Sequence, residues 1–360
     1  MKDVVKSSTF AKGDIPYLIA GPCSAETREQ VLGIAHELKA NDKVHCYRAG
    51  IWKPRTRPGT FEGVGKKGLA WMKEVKEETG LAITTEVANA THVELCLEHG
   101  LDVLWIGART SVNPFAVQEI ADALKGVDIP VLLKNPINPD LALWLGGVER
   151  LQKVGIRDLG VIHRGFSHLG EKFYRNRPQW QLPIEFKRIK PEIPIICDPS
   201  HICGRRDILQ MVAQKALDLD FDGLMIETHT TPDEAWSDAK QQITPEVLGT
   251  LISDLVIRRD KQSDENVQNE LGNLRDEIAQ IDSDIFDLLS SRMEVARRIG
   301  AYKKENNITI LQQKQWIKIL NLAMSKANDL KISQEFVEQY LQTLHDESIH
   351  QQQGVMNEKN

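Results

Sequence analysis

Over the first 257 residues, short apolar runs alternate with longer stretches in which apolar and polar positions mix at helical spacing. Eight runs stand out: Tyr17–Ala20, His45–Ala49, Ala82–Glu86, Val103–Ile106, Val131–Lys134, Gly160–His163, Ile195–Asp198 and Leu224–Glu227. Each is followed by a loop rich in Gly, Pro, Ser or charge, so the pattern calls for parallel strands joined by helices. Eight such strands in about 250 residues is the size of a (β/α)8 TIM barrel, which gathers its active-site groups at the C-terminal ends of the strands. An open doubly wound sheet is the alternative, but no Gly-x-Gly-x-x-Gly turn follows the first strand, and the barrel is the predicted fold.

The pattern changes at Arg258–Glu270, which is almost wholly polar and reads as a linker. Beyond it Leu271, Leu274, Ile278, Ile281, Ile285, Leu288, Val295, Ile299 and Tyr302 recur every three or four residues, the seam of one helix of more than thirty residues. At 1.5 Å per residue it is on the order of 50 Å long, more than so small a domain can cover, and pairing with a second chain is the expected remedy. Two further helical patterns lie between Gln313 and Gln352, broken near Asn328–Ser333. The expected organisation is a barrel over 1–257, a linker over 258–270, a small all-α three-helix domain over 271–353 that dimerises, and a tail over 354–360.

Composition narrows the function. The chain has 360 residues, 41% hydrophobic and 27% charged, with a formal net charge of -6, which disfavours a general nucleic-acid or membrane-surface binder. Met1–Phe10 has no apolar core behind its lysines, and no run approaches a membrane span, so the expected location is the cytosol. The five cysteines, Cys23, Cys46, Cys96, Cys197 and Cys203, are an odd, scattered set and are read as reduced thiols.

The strand-end rule then selects candidate chemistry. Cys23 follows the first strand, His201 the seventh, Glu227 ends the eighth and Asp238 lies in the loop beyond. Taken singly, each has an ordinary structural reading: a buried small thiol, a hydrogen-bonded histidine, solvated acids. Taken together, a thiolate, an imidazole and two carboxylates suit a divalent transition metal. Arg48 and Lys53 around strand two, Arg55 beside them, Arg109 after strand four, Lys134 at strand five and Arg164 after strand six form a second set. Unpaired charge at the ends of apolar runs is costly, and a substrate bearing several anionic groups would compensate it.

These residues sit in motifs. Gly-Pro-Cys-Ser-Ala-Glu (21–26), Lys-Pro-Arg-Thr (53–56), Ile-Gly-Ala-Arg (106–109), Leu-Leu-Lys (132–134), His-Arg-Gly (163–165), Asp-Pro-Ser-His (198–201) and Ser-Asp-x-x-Gln-Gln (237–242) resemble the short, type I-beta 3-deoxy-D-arabino-heptulosonate 7-phosphate (DAHP) synthases. The resemblance implies a TIM barrel that condenses phosphoenolpyruvate with erythrose 4-phosphate. It implies a metal held by Cys23, His201, Glu227 and Asp238, with Mn2+ the first candidate and Fe2+, Co2+, Zn2+ or Cd2+ as others. It implies further that Arg48 and Lys53 meet the phosphoenolpyruvate carboxylate, that Arg109, Lys134 and Arg164 take its phosphate, and that Arg55 and Thr56 bind the phosphate of erythrose 4-phosphate. Cys23, Lys53 and His201 are the expected catalytic set. The sister synthase that uses arabinose 5-phosphate resembles Lys-Ala-Asn-Arg at the corresponding place, so Lys53–Thr56 favour the erythrose enzyme. Asn135 departs from the pattern, which often has Arg there, and the stretch before Tyr17 leaves no room for the ferredoxin-like regulatory module of some relatives.

The C-terminal region is similar to the all-helical type II chorismate mutases on Leu-Arg-Asp-Glu-Ile-x-x-Ile-Asp (274–282), Leu-Leu-x-x-Arg (288–292) and Gly-Ala-Tyr-Lys (300–303). Arg292 and Lys303 are eleven residues apart, about 1100° of rotation, and so share nearly one face. Arg292 falls on the apolar seam, where a charge is either a register device or a buried anion ligand. The resemblance implies the ligand: Arg292 and Lys303 as catalytic cations for chorismate, Arg275 reaching in from the partner chain, and Ser348 and Gln352 from the last helix. Gln315 and Trp316 stand where that family has Arg followed by Glu, and Gln312 replaces an acid. One cation of the cage is thereby missing unless Lys314 substitutes, which leaves a non-catalytic dimerising and ligand-sensing module as the alternative. The fusion also implies that prephenate, the mutase product, inhibits the barrel.

Overall fold

In the computed structural model, residues 8–357 are described apart from 12, 14, 41, 55–58 and 259–264. The chain divides into two compact units, Met1–Asp260 and Lys261–Asn360.

The first is a closed barrel of eight parallel strands in sequence order. They are β1 Tyr17–Gly21, β2 Cys46–Arg48, β3 Ala82–Val87, β4 Val103–Ile106, β5 Val131–Lys134, β6 Leu159–His163, β7 Ile195–Cys197 and β8 Gly223–Glu227, with β8 pairing back to β1 from Tyr17↔Gly223 to Gly21↔Glu227. The strands are nearly all buried along their length because helices cover their outer faces and side chains fill the lumen, which is why they read as continuous apolar runs. The lumen is filled by Tyr17, Ile19, Cys46, Val103, Trp105, Leu132, Ile162, Ile196 and Met225, with Phe10 packed against them.

Around the strands run α1 Arg28–Lys39, α2 Lys67–Thr79, α3 Ala90–Glu98, α4 Pro114–Ala123, α5 Leu141–Lys153, α6 Gln181–Ile189, the short α7 Pro199–Cys203, α8 Leu209–Asp218 and α9 Pro245–Asp254. Their starts obey local chemistry: Thr27, Asn89, Asn113, Asp140 and Thr244 each accept a hydrogen bond from a backbone N–H in the first turn. Where β1 ends, Gly21 has φ +145, and a Cβ there would lie 2.0 Å from the Arg48 carbonyl. Only glycine lets the loop carrying Cys23 cross so close to β2.

The second unit contains α10 Glu265–Glu305, α11 Gln313–Asp329 and α12 Gln334–Asn357. Two boundaries differ from the sequence expectation. The helix begins at Glu265, inside the segment read as linker, and α12 continues to Asn357, through much of the segment read as tail. Polar side chains do not stop a helix; the expectation used the end of the apolar seam, whereas backbone hydrogen bonding carries on through residues of adequate propensity. Among the described residues no helix is long and apolar enough to cross a membrane.

Candidate active site

The C-terminal ends of the barrel strands converge as the fold requires. Cys23, Glu227 and Asp238 each offer one ligand atom, and these atoms lie within 4.8 Å of one another. His201 approaches from α7 with Nε2 3.7 Å from Glu227 Oε1. That carboxylate oxygen is buried without a hydrogen-bond donor, although Arg48 Nη1 stands 3.2 Å away. An under-satisfied buried carboxylate facing a thiol, an imidazole and a second carboxylate is a donor set that fits a borderline-soft divalent metal.

The loop after β8 shapes this group. Asp238 sits at φ +49, a left-handed conformation that aspartate tolerates better than most residues. Its Oδ1 is 3.1 Å from Arg175 Nη1, and its Oδ2 is 3.4 Å from Cys23 Sγ. Gln241 donates to Glu227 Oε2 at 2.6 Å, while Gln242 accepts from the Cys23 backbone N–H at 3.0 Å. Burial opposes charge on Asp238 and Glu227, yet Arg175 and His201 around the first, and His201 and Arg48 around the second, hold both carboxyls below the usual range. Burial, reinforced by Glu227, pushes the Cys23 thiol up to about 11, with Lys53 acting against it. Coordination to a divalent cation would remove that proton.

Lys53 and Arg48 both point at Cys23. Lys53 Nζ donates to its carbonyl at 2.8 Å and lies 2.9 Å from its sulfur, and Arg48 Nη2 donates to the same carbonyl at 3.2 Å. Arg48 is buried, lying 4.9 Å over the Trp105 ring. A cavity of about 340 Å³ opens beside them, lined by Lys53, Arg109, Lys134, Arg164, Arg175 and Glu86 among others, with His201 and Asp238 at its edge toward the metal group. Arg48 is not among the lining residues. Arg164 is nearly buried, and desolvation lowers its guanidinium to about 10. Arg55 and Thr56 lie outside the described residues.

Several residues here carried no signal of their own. Asp198 is fully buried and binds Lys134 at 2.8 Å. Asn135 is also buried; it accepts from the Arg164 N–H at 2.7 Å and donates to the Pro136 and Gly165 carbonyls. It clamps β5 to the turn after β6, so its place in the motif is structural. Asp198, Gln241 and Gln242 all lie in quoted motifs, and that was the one available signal.

In the second unit α10 and α12 bring four expected residues together. Arg292 Nη1 donates to Ser348 Oγ at 2.5 Å, and Lys303 Nζ donates to Gln352 Oε1 at 3.0 Å and to the Ile310 carbonyl at 2.5 Å. Gly300 permits the approach, since a Cβ there would lie 2.9 Å from Gln352 Cα. Lys303 borders a cleft of about 700 Å³ with Arg298, Tyr302 and Gln312, and burial pushes its ammonium down. Arg275 is exposed and seventeen residues from Arg292, roughly 26 Å along the helix, so one chain does not bring it to this group. Gln315 and Lys314 are exposed, while Trp316 stacks on His345 at 4.2 Å.

The profile of the DAHP synthetase I family matches residues 4–263. The chain belongs to the DAHP synthetase I family. The chorismate mutase type II profile matches residues 274–353, so the fusion of the two enzyme families is established. A phospho-2-dehydro-3-deoxyheptonate aldolase of Thermotoga maritima is 32% identical over 238 residues, 66% of this chain and 68% of that protein. A 2-dehydro-3-deoxyphosphooctonate aldolase of Desulfatibacillum aliphaticivorans is 25% identical over 264 residues, 67% of this chain and 91% of its own. The crystal structure of a Thermotoga maritima DAHP synthase superposes with a TM-score of 0.59 at 30% identity, covering 67% of this chain and 68% of that one. A truncated form of a synthase from the same organism gives 0.59 at 28% identity, covering 71% and 88%.

Proposed function

We propose that the barrel of this DAHP synthase-family enzyme condenses phosphoenolpyruvate with erythrose 4-phosphate to DAHP and phosphate, using a divalent metal at Cys23, His201, Glu227 and Asp238. The observation that carries this reading is the junction of the Cys23–Glu227–Asp238 group with one cavity bordered by Lys53, Arg109, Lys134 and Arg164. A divalent transition metal bound there supplies Lewis acidity toward the aldehyde oxygen.

The chain's own residues do the rest. Arg109, Lys134 and Arg164 hold the phosphoenolpyruvate phosphate, and Lys53, backed by the buried Arg48, faces its carboxylate. This fixes C3 of the enol toward the aldehyde carbon, which gains most from restricted orientation. Carbon–carbon bond formation moves electrons from the enol to the aldehyde oxygen. Water then adds at C2, and phosphate leaves with the carbon–oxygen electron pair into the same cationic cluster. Arg55 and Thr56 are assigned to the aldose phosphate. The choice of a four-carbon over a five-carbon aldose is supported by Lys53–Thr56 and by the greater identity to the heptonate than to the octonate aldolase. Phosphate release with erythrose 4-phosphate and none with arabinose 5-phosphate is the expected result; the reverse overturns the assignment.

We infer further that the helical unit converts chorismate to prephenate as a homodimer, in the cytosol, with Arg292, Lys303, Ser348 and Gln352 of one chain and Arg275 of the other forming the cage. The apolar seam of α10 supports a partner: Ile278 is 59% and Leu288 70% exposed in the single chain. Prephenate bound there inhibits the barrel if it binds the domain arrangements unequally. The Trp316–His345 stack, in place of the family's acid, favours one second reading, a dimerising module that binds chorismate or prephenate without turnover. Chorismate consumption measured beside chorismate binding separates the two.

A further inference from the structure

Asp198 is fully buried at the end of β7. One of its oxygens, Oδ1, accepts from the His201 backbone N–H at 3.0 Å and so caps α7. The other, Oδ2, accepts from Lys134 Nζ at 2.8 Å and lies 2.8 Å from His201 Nδ1, at bonding distance though off the ideal direction. A single carboxylate therefore touches both a cation that lines the cavity and the imidazole that approaches the metal group.

We propose that Asp198 is a positioning residue that links metal binding at His201 to phosphate binding at Lys134. The inference rests on the metal and phosphate assignments above. With the carboxylate beside it, Nδ1 keeps its proton and Nε2 presents its lone pair toward Glu227, 3.7 Å away. When an anion engages the Lys134 ammonium, the lysine's hold on Oδ2 weakens, and the oxygen becomes a better acceptor for Nδ1–H. The imidazole becomes a stronger donor to a metal. Reciprocity then requires that the metal loosen Lys134 for its anion.

Asp198→Asn separates this from a merely structural role, because it is isosteric and its one oxygen can serve either the α7 cap or the side shared by Lys134 and Nδ1, but not both. If its oxygen caps α7, its amide group faces Lys134 and Nδ1, so the ring takes the tautomer with hydrogen on Nε2. If the amide turns over, its donor opposes the His201 N–H. The test uses the full chain stripped of metal and titrated with Co2+, whose thiolate charge-transfer band reports Cys23, with and without saturating inorganic phosphate. Wild type should bind Co2+ about fivefold or more tightly with phosphate present, the low end of typical couplings. In Asp198→Asn, Co2+ affinity should fall roughly 10- to 100-fold, and most of the phosphate effect should vanish. Unchanged affinity and an unchanged phosphate effect in a folded variant overturn the proposal. If the variant does not fold, selective 15N-histidine spectra of metal-free wild type, with His201 assigned by His201→Gln, give the answer. A proton on Nδ1 is expected, and one on Nε2 contradicts the link. Failure of wild type to bind Co2+ at all would instead contradict the metal assignment.

Discussion

The barrel gathers its candidate site within one chain, while the helical unit gathers only part of its own. In the barrel, strand ends and the loops after them place Lys53, Lys134 and Asp238 around one cavity with Cys23 and Glu227 beside Asp238, and the charges of Lys53, Lys134 and Asp238 each have an opposite charge or polar partner beside them. In the helical unit, Arg292 and Lys303 find Ser348 and Gln352, but Arg275 lies on an exposed stretch of α10 beside uncovered Leu274 and Ile278. A closed sheet forces distant sequence segments together, because each strand end meets the same mouth. A long helix separates its residues in proportion to their spacing, and completes a site only when another copy lies beside it.

The sharpest way to set the two regions apart is at the metal. Chelation, or Cys23→Ala, should reduce condensation by on the order of a thousandfold, since the Lewis acid is worth several kcal/mol at 1.36 kcal/mol per tenfold. Mutase turnover should be unaltered; measuring both reactions on the same sample checks the contrast, and restoration by Mn2+ confirms the cause. Arg292→Ala should lower mutase turnover by roughly a hundredfold or more with condensation intact. Mixing it with an Arg275→Ala chain should recover part of the lost rate, because a mixed dimer holds one site with both arginines. No recovery would mean that each chain builds its cage alone.

How far these regions were legible in sequence follows the same division. The eight strands announced themselves because both faces are buried, as at β4 and β5, where every residue is apolar except Lys134 at the end that carries function. The metal candidates were legible because each lies at a strand end or in the loop after one. The roles of Asp198, Asn135 and Gln241 were not, because they depend on approaches across 64, 29 and 14 residues that spacing cannot reveal. Lys53 and Arg48 were expected on a substrate carboxylate, and the structure places both against Cys23. In the helical unit the apolar seam showed α10 but not its ends, since Glu265–Glu270 continue the helix beyond the apolar seam. What covers the seam, a second chain in the proposed homodimer, is not encoded in the spacing of its apolar residues.

Smaller effects sharpen the mutase side. Gln315→Arg restores a cation at the start of α11 and should raise chorismate turnover about tenfold, the scale of one charge-assisted contact, with condensation unaltered. An unchanged rate would mean that Lys314 or another group already serves. Cleavage between Arg258 and Glu265 should abolish prephenate inhibition, an effect of several-fold for a coupling of roughly 1–3 kcal/mol. Persistence of inhibition in the cut protein would place the prephenate site on the barrel.

The seam itself offers the most direct test of a complete site beside a shared one. Ile278→Glu puts a charge into the exposed apolar stripe, far along α10 from Arg292 and Lys303 and one turn from Arg275. Sedimentation and both steady-state rates should be measured on that variant at one protein concentration. The expected result is a smaller species in which condensation stays within about twofold of wild type while chorismate turnover falls at least roughly a hundredfold. A smaller species that retains mutase activity, or one that loses both activities together, would contradict the account.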